Sequence, residues 1–149
     1  MLVYLAGPMA GKIDNNRPLF AAVAAGLRRR GYVIISPAET FADSPTPRPA
    51  CMRVDLSQLL AADAICLLPG WQYSRGAFTE YLVAVETGKK TFEAVGILSS
   101  GQMSWSMVEL PRYDWSSGNL RWSVDRDAWS VGLNFAAAPM EGYLPEGRL

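Results

Sequence analysis

A chain without histidine must do its acid–base or nucleophilic chemistry with carboxylates, hydroxyls, lysine, arginine or backbone groups, and this sequence has no histidine. Ser–His and Cys–His relays and His-ligated metal sites are therefore excluded. The two cysteines, Cys51 and Cys66, show neither CxxC nor metal-ligand spacing. Cys66 lies in an apolar run and reads as a small core residue. Among the carboxylates, Glu80 stands out. It falls one helical turn after Gly76, on an expected helix, where a carboxylate can act as a nucleophile toward a sugar carbon of oxocarbenium character. Asp55 lies early in another expected helix, where it serves either as a cap or as part of a site. Tyr4, within the first strand, can orient a carboxylate or act as a plain strand aromatic. Asp63 reads as shaping a turn, and Glu86 as surface.

Two glycine-containing turns accompany these residues. Gly7-Pro8-Met9-Ala10-Gly11 has some look of a phosphate-holding loop, but it matches neither the P-loop nor GxGxxG, and a tight strand-to-helix turn explains it equally well. The segment from Pro69 through Gly70, Trp71, Ser74, Arg75 and Gly76 to Ala77 carries more information. It puts a hydroxyl and a guanidinium at a helix start, where unpaired N–H groups and the helix dipole favour anions. Ser74 reads there as a phosphate ligand or as a plain N-cap. Arg75 adds charge or faces solvent. Trp71 stacks on a base or belongs to the core; the residues alone leave both open.

The elements that would position these groups alternate. Leu2–Ala6, Tyr32–Ile35 and Ala64–Leu68 are short apolar runs suited to buried strands. Helical patterns follow from about Arg17 to Gly31, Met52 to Ala61 and Gly76 to Thr87. Pro18 suits a first turn and Gly31 a stop. Arg28, Arg29 and Arg30 sit near a helix end and read as solvated. Pro37–Pro49 reads as a loop, and Thr91–Leu98 as a fourth strand. This order predicts a parallel sheet with helices on both faces, and a site beyond the carboxyl ends of its strands.

The chain has 149 residues, half of them apolar, with 14 basic and 14 acidic side chains. That length suits one domain with a core that needs no staple. The charge balance gives no general argument for a nucleic-acid polymer as partner. No signal-peptide pattern and no membrane-spanning run is present, which predicts a cytoplasmic protein without membrane contact. Residues 1–98 read as the α/β domain. Residues 99–149, rich in Trp, Ser, Gly and Pro, read as an irregular extension packed on the domain or on a neighbouring subunit. A hairpin from Leu120–Val124 and Ala128–Leu133 is one arrangement open to it.

Taken together, the pieces Tyr4-Leu5-Ala6-Gly7-Pro8-Met9, Asn16, Phe20, Leu27 to Tyr32, Pro37-Ala38-Glu39, Met52-Arg53-Val54-Asp55, Ala62 to Ile65 and Leu68 to Glu80 resemble the nucleoside 2-deoxyribosyltransferase-like superfamily. Within it the chain looks most similar to the DUF4406 group of phage and bacterial proteins. The resemblance implies a Rossmann-like, flavodoxin-like sheet. It implies Glu80 as the nucleophile at C1′, Asp55 as the proton-transfer partner of the base and Tyr4 as the hydrogen-bond partner of the nucleophile. It also implies a substrate or phosphate cradle from Gly7, Pro8, Met9, Gly11, Gly70, Trp71, Ser74, Arg75 and Gly76. Ser74 stands six residues before the nucleophile, where the nucleoside transferases tend to carry an aspartate, which tilts the expectation toward a phosphorylated substrate. The first expectation is accordingly an N-glycosidase acting on a (deoxy)nucleoside 5′-monophosphate. The alternatives are a base-exchanging 2-deoxyribosyltransferase and a non-catalytic nucleotide-binding protein. The resemblance further implies a small nucleotide or nucleoside partner, a homodimer or larger assembly, and no cofactor or metal.

Overall fold

The computed structural model describes residues 1–41, 46–111, 122–125 and 128–131. Its core is a five-stranded sheet of order β2-β1-β3-β4-β5, built from β1 (Leu2–Ala6), β2 (Val33–Ile35), β3 (Ala64–Leu67), β4 (Lys90–Ser99) and β5 (Gln102–Glu109). β1 pairs in parallel with β2 and β3, and β3 with β4. The helices α1 (Arg17–Arg29), α2 (Pro37–Thr40), α3 (Arg48–Ala61) and α4 (Arg75–Glu86) occupy the connections.

Both central strands are buried on both faces, so their side chains sort by the two-residue period of a strand. Tyr4, Ala6, Ile65 and Leu67 point toward α3 and α4, where they meet Leu59, Trp71, Phe78 and Tyr81. Val3, Leu5, Cys66 and Leu68 point the other way, toward Phe20, Val23 and Leu27 of α1. Cys66 is thus a core residue, and burial pushes its thiol up to about 12. Asp63 does shape the turn into β3: its Oδ2 accepts from Leu2 N–H at 2.7 Å. Gly31, at φ +88°, ends α1 in the left-handed region that favours glycine.

The sheet departs from the expected all-parallel form at its edge. β5 runs antiparallel to β4 in one continuous ladder from Phe92↔Glu109 to Ser99↔Gln102. The link is the two-residue turn Ser100-Gly101, with φ +50° and +76°, the geometry that matches the twist of a hairpin. Trp105 and Met107 pack on the α1 side of the core. The approach is close: a Cβ at Gly26 of α1 would lie 2.9 Å from Trp105 Cβ. Residues 102–109 of the Trp-rich segment are therefore part of the main sheet.

Three further readings are refined. Pro37–Thr40, expected as loop, forms one helical turn, and α3 begins at Arg48 with Pro49 in its first turn, ahead of the expected Met52. The arginine run does more than face solvent: Arg28 grips both oxygens of Glu39 at 2.8 and 2.9 Å, and Arg30 Nε donates to Trp105 O at 2.9 Å. β6 (Trp122–Asp125) and β7 (Ala128–Val131) form a separate antiparallel hairpin where the sequence suggests one, with β6 running one residue past the expected Val124. The remainder of 112–149 lies outside the described residues.

Candidate active site

Chain order reverses at β1 and β3: the connection leaving β1 goes one way across the sheet, that leaving β3 the other. A crevice opens there, beyond the carboxyl ends of the strands. It holds a cavity of about 360 Å³, within the range of small-molecule sites.

One wall rests on the core. Tyr4 points from β1 toward α4 and is fully buried. Its hydroxyl donates to Glu80 Oε1 at 2.6 Å, which is short, as expected for an O–H bonded to a carboxylate. Glu80 is 5% exposed and lines the cavity. Burial pushes its carboxyl up to about 8; the Tyr4 hydrogen bond opposes this, Asp55 adds to it, and Arg48 opposes it. The Tyr4 hydroxyl itself is held far above its ordinary range, first by burial and then by the charges of Glu80 and Asp55.

The facing wall is α3. Arg48, Cys51, Met52 and Asp55 all line the cavity. Their spacing of three, four and seven residues puts them on one helical face. The carboxyl of Asp55 is pushed up to about 6 by burial, against the pull of the Tyr4 hydroxyl. Its Oδ1 is buried without a hydrogen-bond partner among the described residues. Such an acceptor is costly unless something donates to it.

Loops and helix starts complete the lining with Gly7, Met9, Arg17, Phe41, Ser74 and Gly76, among others. Gly7 is required by packing: a Cβ there would sit 2.8 Å from Leu68 Cβ. Pro8 is buried, and its carbonyl accepts from Asn16 Nδ2 at 2.8 Å, which fastens the loop after β1. Ser74 N-caps α4, its Oγ accepting from Ala77 N–H at 3.3 Å.

The expected cradle is thus divided. Tyr4, Asp55 and Glu80 converge, and Gly7, Met9, Ser74 and Gly76 reach the cavity. Pro8, Gly11, Gly70, Trp71 and Arg75 are not among its lining residues. Trp71 is fully buried, 4.8 Å from the ring of Tyr81 and 6.3 Å from that of Phe78, and its Nε1 donates to Glu93 at 3.1 Å. It is a core aromatic with a satisfied polar end. Arg75 is exposed. Arg17 and Arg48 were not singled out in the sequence, where they look like ordinary arginines beside prolines. Among the described residues no group of three or more His, Cys, Asp or Glu side chains is placed to hold a metal. No helix there is long and apolar enough to cross a membrane.

Residues 1–93 match the family described as "Domain of unknown function (DUF4406)". No curated protein matches. Among solved structures, the fold is similar to the 2-desoxiribosyltransferase from Leishmania mexicana, with a TM-score of 0.50 and 20% identity over 70% of this chain and 77% of that one. These findings correct the first functional expectation, hydrolysis of a nucleoside 5′-monophosphate. That solved structure is a transferase by its name, and Arg75, expected to add charge for a phosphate, stands outside the cavity.

Proposed function

The chain belongs to the DUF4406 family, and we propose that its cavity exchanges the base of a 2′-deoxynucleoside by way of a deoxyribosyl–Glu80 intermediate. The observation that carries this reading is the Tyr4–Glu80 hydrogen bond at 2.6 Å beside Asp55, both carboxylates buried at the floor of a crevice of small-molecule size. Glycosyl transfer needs one carboxylate as nucleophile and one acid to protonate the leaving base. With Glu80 pushed up to about 8 and Asp55 to about 6, the form with Glu80 ionised and Asp55 protonated is the minor of the two singly protonated forms and is the one that reacts.

In the first half-reaction the ionised Glu80 attacks C1′ as the C1′–N bond breaks. Protonated Asp55 gives its proton to the departing base. In the second, a nitrogen of the incoming base attacks C1′, Glu80 leaves as carboxylate, and Asp55 recovers a proton from the incoming base. No proton is gained or lost overall. Tyr4 orients Glu80 and stabilises its charge before attack and on release. Gly7, Met9 and Gly76 shape the cavity near the sugar, and Met52 and Phe41 offer apolar surface to a base. A substrate that fills the crevice keeps water from C1′, which favours transfer to a base.

The test is a base-exchange assay. The protein is incubated with each 2′-deoxynucleoside and an isotopically labelled free base, and the products are separated by chromatography. Labelled deoxynucleoside is expected with wild type and not with Glu80→Gln. No labelled product from any donor–acceptor pair would refute the proposal.

A further inference from the structure

Attack on C1′ requires Glu80 as carboxylate, yet burial favours its neutral form. Something in the cavity must oppose that. Tyr4 from β1 does so by hydrogen bonding, while Asp55 from α3 opposes ionisation. Arg17 from α1 also lines the cavity; its Nη2 reaches Phe41 O at 3.4 Å, and its Nε is buried without a partner among the described residues. On the helix of Glu80 itself, Arg75 and Glu86 are exposed.

We propose that Arg48 is a positioning residue that favours the ionised, attacking form of Glu80. The inference rests on the reading of Glu80 as nucleophile. Its geometric basis is the first turn of α4. A Cβ at Gly76 would lie 3.7 Å from Arg48 Nη1, 3.8 Å from Nη2 and 4.0 Å from Ser74 Oγ. Both terminal nitrogens of the guanidinium therefore lie over that turn. Gly76 and Glu80 are four residues apart, on one face of α4, and both line the cavity with Arg48. The first turn of a helix offers donors, not acceptors, so the guanidinium finds no anion there. No carboxylate among the described residues is in ion-pair contact with it. Glu80, one turn further along the same face, is the carboxylate its field reaches. Pro47 and Pro49 flank Arg48 and restrict the backbone from which its side chain departs. A nucleoside that expels water from the cavity lowers the local dielectric and strengthens this interaction.

The test compares Arg48→Met, which keeps the stem and removes the charge, with Arg48→Lys, which keeps a charge. The midpoint of Glu80 is read directly by carbon NMR of side-chain-labelled glutamate in protein without nucleoside, assigned with Glu80→Gln. The acidic limb of kcat/KM for base exchange is read in parallel. Arg48→Met is expected to raise both by less than about one unit, which is less than about tenfold in rate on that limb, with the loss shrinking as pH rises. Arg48→Lys is expected to recover most of the shift. An unchanged Glu80 midpoint in Arg48→Met would overturn the inference, whatever the rates do. If wild type exchanges no base, the proposed function fails on its own account, while the NMR midpoint still decides the electrostatic role of Arg48.

Discussion

The two walls of the cavity are made differently. The Tyr4–Glu80 wall is an outgrowth of the hydrophobic core: Tyr4 belongs to the same cluster as Ile65, Trp71, Phe78 and Tyr81, and Glu80 is on the helix that carries the last two. The α3 wall is a helix face that meets the core further along, at Leu56 and Leu59. Arg48 is exposed, and Cys51 and Met52 are half-buried. The first wall holds a charge-bearing pair rigidly at the cost of desolvating it. The second offers side chains that can adjust to a ligand. A nucleophile needs the former, because a small misplacement of the attacking atom costs rate steeply. Recognition of a base and supply of a counter-charge tolerate the latter.

The largest effect expected from breaking the first wall is on stability. Trp71→Ala removes a fully buried indole and should cost about 3–5 kcal/mol by thermal or denaturant unfolding. Trp71→Phe should cost less and leave KM for nucleosides unchanged; a raised KM would mean that the indole touches ligand after all.

Next is the effect of pH on the buried carboxyl. Glu80 goes from an ordinary value in the unfolded chain to about 8 in the fold. The folded state therefore holds the extra proton between about pH 4.5 and 8, and its stability falls as pH rises through that window. Glu80→Gln should remove this slope, and should be more stable than wild type at pH 9 by roughly 2–4 kcal/mol. Parallel stability profiles for the two proteins would contradict the burial account.

Tyr4→Phe removes the donor at 2.6 Å and leaves the ring. Base exchange should slow by about one to two orders of magnitude, and the Glu80 midpoint should rise, since the donor favours the ionised form. An unchanged midpoint would argue that the hydroxyl only packs. The smallest effect sharpens the boundary of the second wall. Arg75→Ala should leave KM unchanged and shift stability by less than about 0.5 kcal/mol, because the side chain is exposed and outside the cavity.

The alternation of apolar runs and amphipathic helices was enough to read the four parallel strands and α1, α3 and α4, because buried strands and helix faces carry strong periodic signals. Glu80 and Asp55 stood out as carboxylates on helices opening at one edge of such a sheet, whereas Tyr4 alone could equally be a strand aromatic, and its pairing with Glu80 was implied only by the resemblance. Other features were not legible. In Gln102–Glu109, Met103, Trp105 and Met107 alternate with polar residues, and Ser100-Gly101 is a fair hairpin turn, yet the surrounding Trp and Ser hid that pattern. Trp71 could not be assigned to core or ligand from its type, since a buried indole needs only one acceptor, and Glu93 supplies it from β4. Arg17 and Arg48 gave no signal because an arginine beside a proline looks the same whether or not the fold turns it into a cavity.

The most direct measurement of the central claim is mass spectrometry of the protein incubated with a 2′-deoxynucleoside, quenched in acid and digested. A deoxyribosyl ester on the peptide containing Glu80, lost on adding a free base and absent from Glu80→Gln, is the predicted result. Base exchange without any adduct on Glu80, or with an adduct on another residue, would contradict the account.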